Sequence, residues 1–181
     1  GRTIPTFYFR DMGWTRAQLD WIFPEDDAKH PLYLAAWEGY LSNSLYEELF
    51  HDNAFVALYE RALALPMEEQ STKRHRRGLD EGLAVHLALA HMHYPDFGLD
   101  HDLFKKFWDI PNEKRHAAFV GFIGRKYLSG RNSDIDAMMK EDANRAKVRD
   151  LWDWLLDRKL PVDVLENFGY RQLASWWRVR G

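Results

Sequence analysis

The sequence predicts an all-α chain of stacked antiparallel helix pairs, arranged as a right-handed superhelix or as an irregular helical bundle. Two observations carry this. Apolar residues recur at i, i+3 and i+4 through nearly every apolar segment. β-Branched residues are scattered and never alternate over a useful length, so no strand is expected. The material for a core is ample, with 46% apolar and 15% aromatic residues in a chain of 181.

The elements follow in order. Thr15 and Gln18 form a capping-box pattern that opens a short helix carrying Leu19, Trp21, Ile22 and Phe23, closed by Pro24. A long helix is expected from Leu32 to Phe50, with Tyr33, Trp37, Tyr40 and Leu41 on its apolar stripe. Another runs through Phe55, Val56, Leu58, Tyr59, Ala62 and Leu63 to Pro66. The next spans Leu79 to His93, and Asp100 or Asp102 is expected to cap a helix holding Leu103, Phe104, Phe107 and Trp108. Asn112 is the expected N-cap of a helix that is apolar on every side from Ala117 to Ile123. Gly130 to Asp136 reads as a polar loop. A charged helix from Ala143 to Arg158 is expected to bury Val148, Leu151, Trp152, Leu155 and Leu156. Pro161 opens a short helix through Val164, Leu165 and Phe168, and a last one carries Tyr170, Leu173, Trp176 and Trp177.

Composition excludes several classes of function. With no Cys there is no disulfide, thiolate metal site or Cys nucleophile. A formal charge of −3 supplies no global attraction to nucleic acid or anionic lipid. No apolar run approaches the roughly 20 residues that span a bilayer, and the N-terminus has no signal pattern, so a cytoplasmic protein is expected. The chain opens on Gly1 without an initiator Met and ends just after Trp176-Trp177. The expectation is a single domain over residues 1–181, excised from a longer polypeptide.

A weak internal repeat adds to the periodicity. Ala35-Ala36-Trp37-Glu38-Gly39-Tyr40 and Ala117-Ala118-Phe119-Val120-Gly121-Phe122 share the pattern Ala-Ala-aromatic-x-Gly-aromatic, 82 residues apart. Gly82 lies between them, so Gly39, Gly82 and Gly121 are spaced by 43 and 39. Glycine inside a helix costs about 1 kcal/mol against Ala, so its recurrence predicts close helix–helix approach, at Gly121 in particular. Expected repeat units are 32–66, 79–109 and 112–158. Through these glycine-centred helices the chain resembles HEAT-like α-helical repeat proteins over Leu32 to Arg158. The phrase Ala36-Trp37-Glu38-Gly39-Tyr40-Leu41 is also similar to helical C-terminal regions of large bacterial multidomain proteins, with sirtuin-like or P-loop domains, some in phage defence. That second resemblance implies chemistry on other parts of the polypeptide.

Four constellations could carry chemistry here. His101-Asp102 resembles the metal-binding pair of HD phosphohydrolases, with His86, His91 or His93 upstream and Asp134 or Asp136 downstream as the remaining ligands that family would require. The pair lies at a helix start among charges, where capping explains it equally. Glu48-x-x-His51 and Glu113-x-x-His116 have the spacing of di-iron carboxylate bundles, but both lie at helix ends and Glu48 lacks a partner carboxylate. His86 and His93 share a helix face, and the three histidines of that helix read as structural. Lys73, Arg74, Arg76 and Arg77 form a basic run without interleaved aromatics, flanked by acidic residues on both sides. No phosphate loop or serine-hydrolase elbow is present. The reading that follows is a non-enzymatic scaffold for another protein or another domain of the same polypeptide, with no catalytic residue, metal or cofactor. The alternatives are an HD-type phosphohydrolase and a nucleic-acid-binding helical module.

Overall fold

A computed structural model describes residues 33, 37, 39–42, 50, 51, 53–64, 78–130 and 132–168. Of these, 75% are helical and none is in a strand, so the all-α class holds. The helices are α1 (Asn53–Ala64), α2 (Leu79–His93), α3 (Asp102–Asp109), α4 (Glu113–Tyr127), α5 (Ser133–Met138), α6 (Asp142–Asp157) and α7 (Val162–Glu166). Tyr33, Trp37 and residues 39–41 are helical and lie before α1. The helices expected over residues 15–23 and 170–177 lie outside the described residues.

Caps explain several boundaries. The Asn112 side chain accepts the Arg115 N–H at 2.9 Å and starts α4 as the sequence predicts. Asn132 accepts the N–H groups of Asp134 and Ile135 and winds α5 out of the segment expected to be a loop. The short polar sequence hid this helix because its only strong signal is the cap. At the far end of α2, Lys147 Nζ donates to the carbonyls of His91, Met92 and Tyr94 at 3.3–3.4 Å. A cation there offsets the negative end of the helix dipole.

Side-chain contacts fix the directions of the helices. Tyr59 meets His86, while Leu63 lies beside the first turn of α2, so α1 and α2 are antiparallel. Phe107 meets His116 and Phe104 meets Phe119, so α3 and α4 are antiparallel as well. Two pairs of helices, α1 with α3 and α2 with α4, run in the same sense. Asp80 binds Arg115 where α2 and α4 begin, and His93 binds Tyr127 where they end. Glu60 of α1 binds Lys106 of α3. Lys147, near the start of α6, meets the C-cap of α2 at Tyr94, while Trp154 meets Phe104 and Trp108 of α3 and Arg158, the C-cap of α6, binds Asp109 at the end of α3.

The core is mostly aromatic. Trp37, Tyr40, Phe50, Phe55 and Tyr59 pack edge to face or tilted around α1 and α2. Phe104, Phe107, Trp108 and Phe119 form a second cluster, joined to the first through Phe97. Leu156, expected inside, is 46% exposed, because α6 buries only the stripe of Val148, Leu151 and Leu155.

The glycine expectation is half right. A Cβ on Gly82 would stand 2.8–2.9 Å from Leu41, a true close approach. On Gly121 the nearest atom is the mobile tip of Arg125 at 2.9 Å, followed by Asn167 Cβ at 3.6 Å. The tight contact on α4 is one turn later, where a Cβ on Gly124 would meet the Phe168 carbonyl carbon at 2.8 Å. Backbone cannot swing aside as Arg125 can. Gly124→Ala should therefore destabilise the fold by about 1–3 kcal/mol. Gly121→Ala should be neutral or stabilising, by up to about 1 kcal/mol of helix propensity. Thermal melts of the two variants give opposite signs, and equal losses would contradict this assignment.

Candidate functional site: the cleft between α1 and α3

The His101-Asp102 pair lines a cleft of about 480 Å³, together with Phe50, Asn53, Val56, Ala57, Glu60 and Asp100. Its floor is apolar and its rim carries carboxylates. Glu60 is tied to Lys106 at 2.9 Å, and Asp100 faces Lys105 at 3.9 Å.

His101, rather than Asp100 or Asp102, is the N-cap of α3. Its Nδ1 accepts the Leu103 N–H at 3.2 Å, and its ring packs on Phe97 at a centroid distance of 4.4 Å. Accepting through Nδ1 puts the proton of the neutral ring on Nε2. Neither nitrogen then offers a free lone pair, and metal ligation would cost the cap. Burial lowers the His101 pKa, partly offset by Asp102, while His51 lowers it further. Asp102 is an exposed first-turn acid, where the helix dipole favours it.

The other HD candidates do not join this pair. His86 is buried and hydrogen-bonds Tyr59, whose hydroxyl also meets that of Tyr40 at 3.1 Å. His91 packs on Phe104, and His93 bonds the Tyr127 hydroxyl at 2.8 Å. His86 and His93, read as sharing a face, thus serve different neighbours, α1 and α4. Asp134 and Asp136 lie on the first turn of α5. Among the described residues no three His, Asp or Glu side chains come together as a metal site.

The Glu-x-x-His motifs separate similarly. Glu48 lies outside the described residues, and His51 is an exposed turn residue. Glu113 is exposed in the first turn of α4, whereas His116 is buried. The His116 Nε2–H donates to the Phe107 carbonyl at 3.1 Å and its ring stacks on Trp108 at 4.6 Å. The basic run of Lys73, Arg74, Arg76 and Arg77 lies outside the described residues.

Sequence reasoning missed Arg115, the most buried Lys, Arg, Asp or Glu among the described residues. The Arg115 side chain is 2% exposed, with Nε 2.8 Å and Nη2 2.6 Å from Asp80 Oδ1, and Nη1 donates to the Leu63 carbonyl at 3.1 Å. Within the charged phrase Glu113-Lys114-Arg115-His116 nothing marks Arg115 as the inward residue. Only its place three residues after the Asn112 cap hints at the orientation.

If His101 acts as a cap, His101→Asn should hold stability within about 0.5 kcal/mol, and His101→Ala should cost about 1 kcal/mol. Added Zn²⁺ or Mn²⁺ should leave the Tm of the parent unchanged, because ligand-linked stabilisation needs a site in the folded state. A metal-dependent rise in Tm that His101→Asn abolishes would restore the metal reading.

No family model matches this chain, and neither curated proteins nor solved structures yield a match.

Proposed function

We propose that the chain is a non-enzymatic helical-repeat scaffold that binds another protein or another domain of its own polypeptide. The observation behind this reading is the same-sense stacking of α2 with α4 and of α1 with α3. Asp80–Arg115 and His93–Tyr127 join residues 35 and 34 apart, and Glu60–Lys106 joins residues 46 apart. Offsets of this size resemble those of stacked helix pairs in HEAT-like arrays. Such arrays offer extended surfaces rather than one enclosed site. The α1–α3 cleft is the surface concavity we assign to partner contact, and its histidine is spent on capping. No helix among the described residues is long and apolar enough to cross a membrane.

The test is affinity capture from a bacterial lysate with the parent chain and with Glu60→Lys/Asp102→Lys, alongside assays on phosphomonoesters, phosphodiesters and nucleotides with divalent metals. The expected outcome is a protein retained by the parent and lost on charge reversal in the cleft, with no turnover. Metal-dependent phosphate release that falls in His101→Asn would overturn the scaffold in favour of the hydrolase.

A further inference from the structure

We propose that α3 is an acid-released element: three histidine side chains hold it at its start, middle and end, and protonation undocks it before the rest of the fold opens. His101 caps its first turn. His91, from α2, lays its ring on Phe104 in the middle, at a centroid distance of 5.3 Å. His116, from α4, donates to the Phe107 carbonyl and stacks on Trp108 near the end. Three histidines, from the cap of α3, from α2 and from α4, thus converge on one helix of eight residues.

Each contact is made by a neutral ring. The cap requires an unprotonated Nδ1, and a charge on His101 would also stand at the positive end of the α3 dipole. Around it lie Asp100 and Asp102, His51, Lys105, and the Glu60–Lys106 pair across the cleft. His91 is buried 98% by surface area against apolar neighbours and faces Lys147 and Asp150 of α6. Burial first, then the charge of Lys147, bring its pKa down to about 4, with backbone hydrogen bonding at Lys147 and Phe97 and then Asp150 offsetting part of this. A charged His116 would keep its bond to Phe107, but it would sit in a buried site beside Arg115 and Arg158, with Asp109 already paired to Arg158. Burial is the largest cause of its lowered pKa.

The sign follows from linkage. All three pKa values are lowered in the docked state, while a released ring regains about 6.5. Docking is therefore fully favoured above pH 6.5 and is lost progressively as pH falls toward each docked pKa, about 4 for His91. Besides the histidines, what holds α3 is its buried face of Leu103, Phe104, Phe107 and Trp108. Its ion pairs, Lys106–Glu60 and Arg158–Asp109, are exposed, and an isolated helix of this length is not stable in water. By contrast, α2 and α4 are joined through Arg115, whose guanidinium stays charged at every relevant pH. Release would uncover Leu103, Phe104, Phe107 and Trp108, all buried when α3 is docked, and would open one wall of the cleft. The scaffold would then present an apolar surface at acidic pH only.

The experiment is amide hydrogen exchange on the intact chain at pH 7.5 and pH 5, corrected for intrinsic rates. From His91 alone the opening constant of α3 should rise about 30-fold. Mid-helix amides of α2 and α4 should change far less. His91→Phe, His101→Asn and His116→Gln should each shrink the α3 response, and the Asn variant keeps the cap, so folding is preserved in at least one. Parallel rises in α2, α3 and α4 would mean general acid unfolding and overturn the proposal. An α3 response unchanged in all three variants would overturn it as well.

Discussion

Arg115 is the constraint around which the described part of the molecule is built. Its guanidinium occupies the point where α1 ends and where α2 and α4 begin, touching the Leu63 carbonyl and the Asp80 carboxylate. The Leu63 carbonyl belongs to the last turn of α1 and has no partner within its own helix. Asp80 also receives the Asn112 amide at 3.4 Å, so the N-cap of α4 joins the same network. A buried guanidinium is costly to desolvate, and the pair need not outperform a well-packed apolar substitute. Its value lies in specificity. A charge with three donors engaged fixes which helix ends meet and leaves few alternative registers.

The other contacts follow from that junction. With their first turns pinned together, α2 and α4 must run side by side in the same sense, and their last turns meet at His93 and Tyr127. Burial raises the Tyr127 pKa and lowers that of His93, with Lys126 and Lys147 adding to the latter. Both groups therefore stay neutral at physiological pH and can share one hydrogen bond. Helices α1, α3 and α6 pack alongside, and aromatic rings fill the space between. Tyr40 and Tyr59 also have raised pKa values through burial, so both hydroxyls of the Tyr40–Tyr59–His86 chain stay protonated in the apolar core. Its hydrogen bonds add directionality to the packing.

Much of this was legible in the sequence, for definite physical reasons. The class and most helix spans follow from apolar periodicity, and the Asn112 cap from its side-chain chemistry. Leu156 and α5 were not legible. Which side of a charged helix faces inward depends on its neighbours, and a six-residue polar helix has almost no periodicity to read. Gly121 and Gly124 occupy one helical face, but only the course of the chain at Phe168 decides which of them is pressed by backbone. The histidines show the same limit. Spacing alone suggested metal pairs for His101 and His116, whereas their partners prove to be a backbone N–H and a backbone carbonyl. Arg115 was invisible because burial of an arginine depends on acceptors brought together from residues 35 and 52 positions away.

The same-sense stacking of α2 and α4 is the central claim, and the absence of native cysteine makes it directly measurable. Spin labels can be placed on introduced cysteines at the exposed positions Glu81 and Lys114 in one sample, and Glu81 and Arg125 in another. At about 1.5 Å of rise per residue and 8–10 Å between axes, the first pair should be closer by roughly 6 Å. Distances by double electron–electron resonance in that order support the arrangement anchored at Arg115. The reverse order, with Glu81 nearer to Arg125, would mean that α2 and α4 are antiparallel and would contradict it.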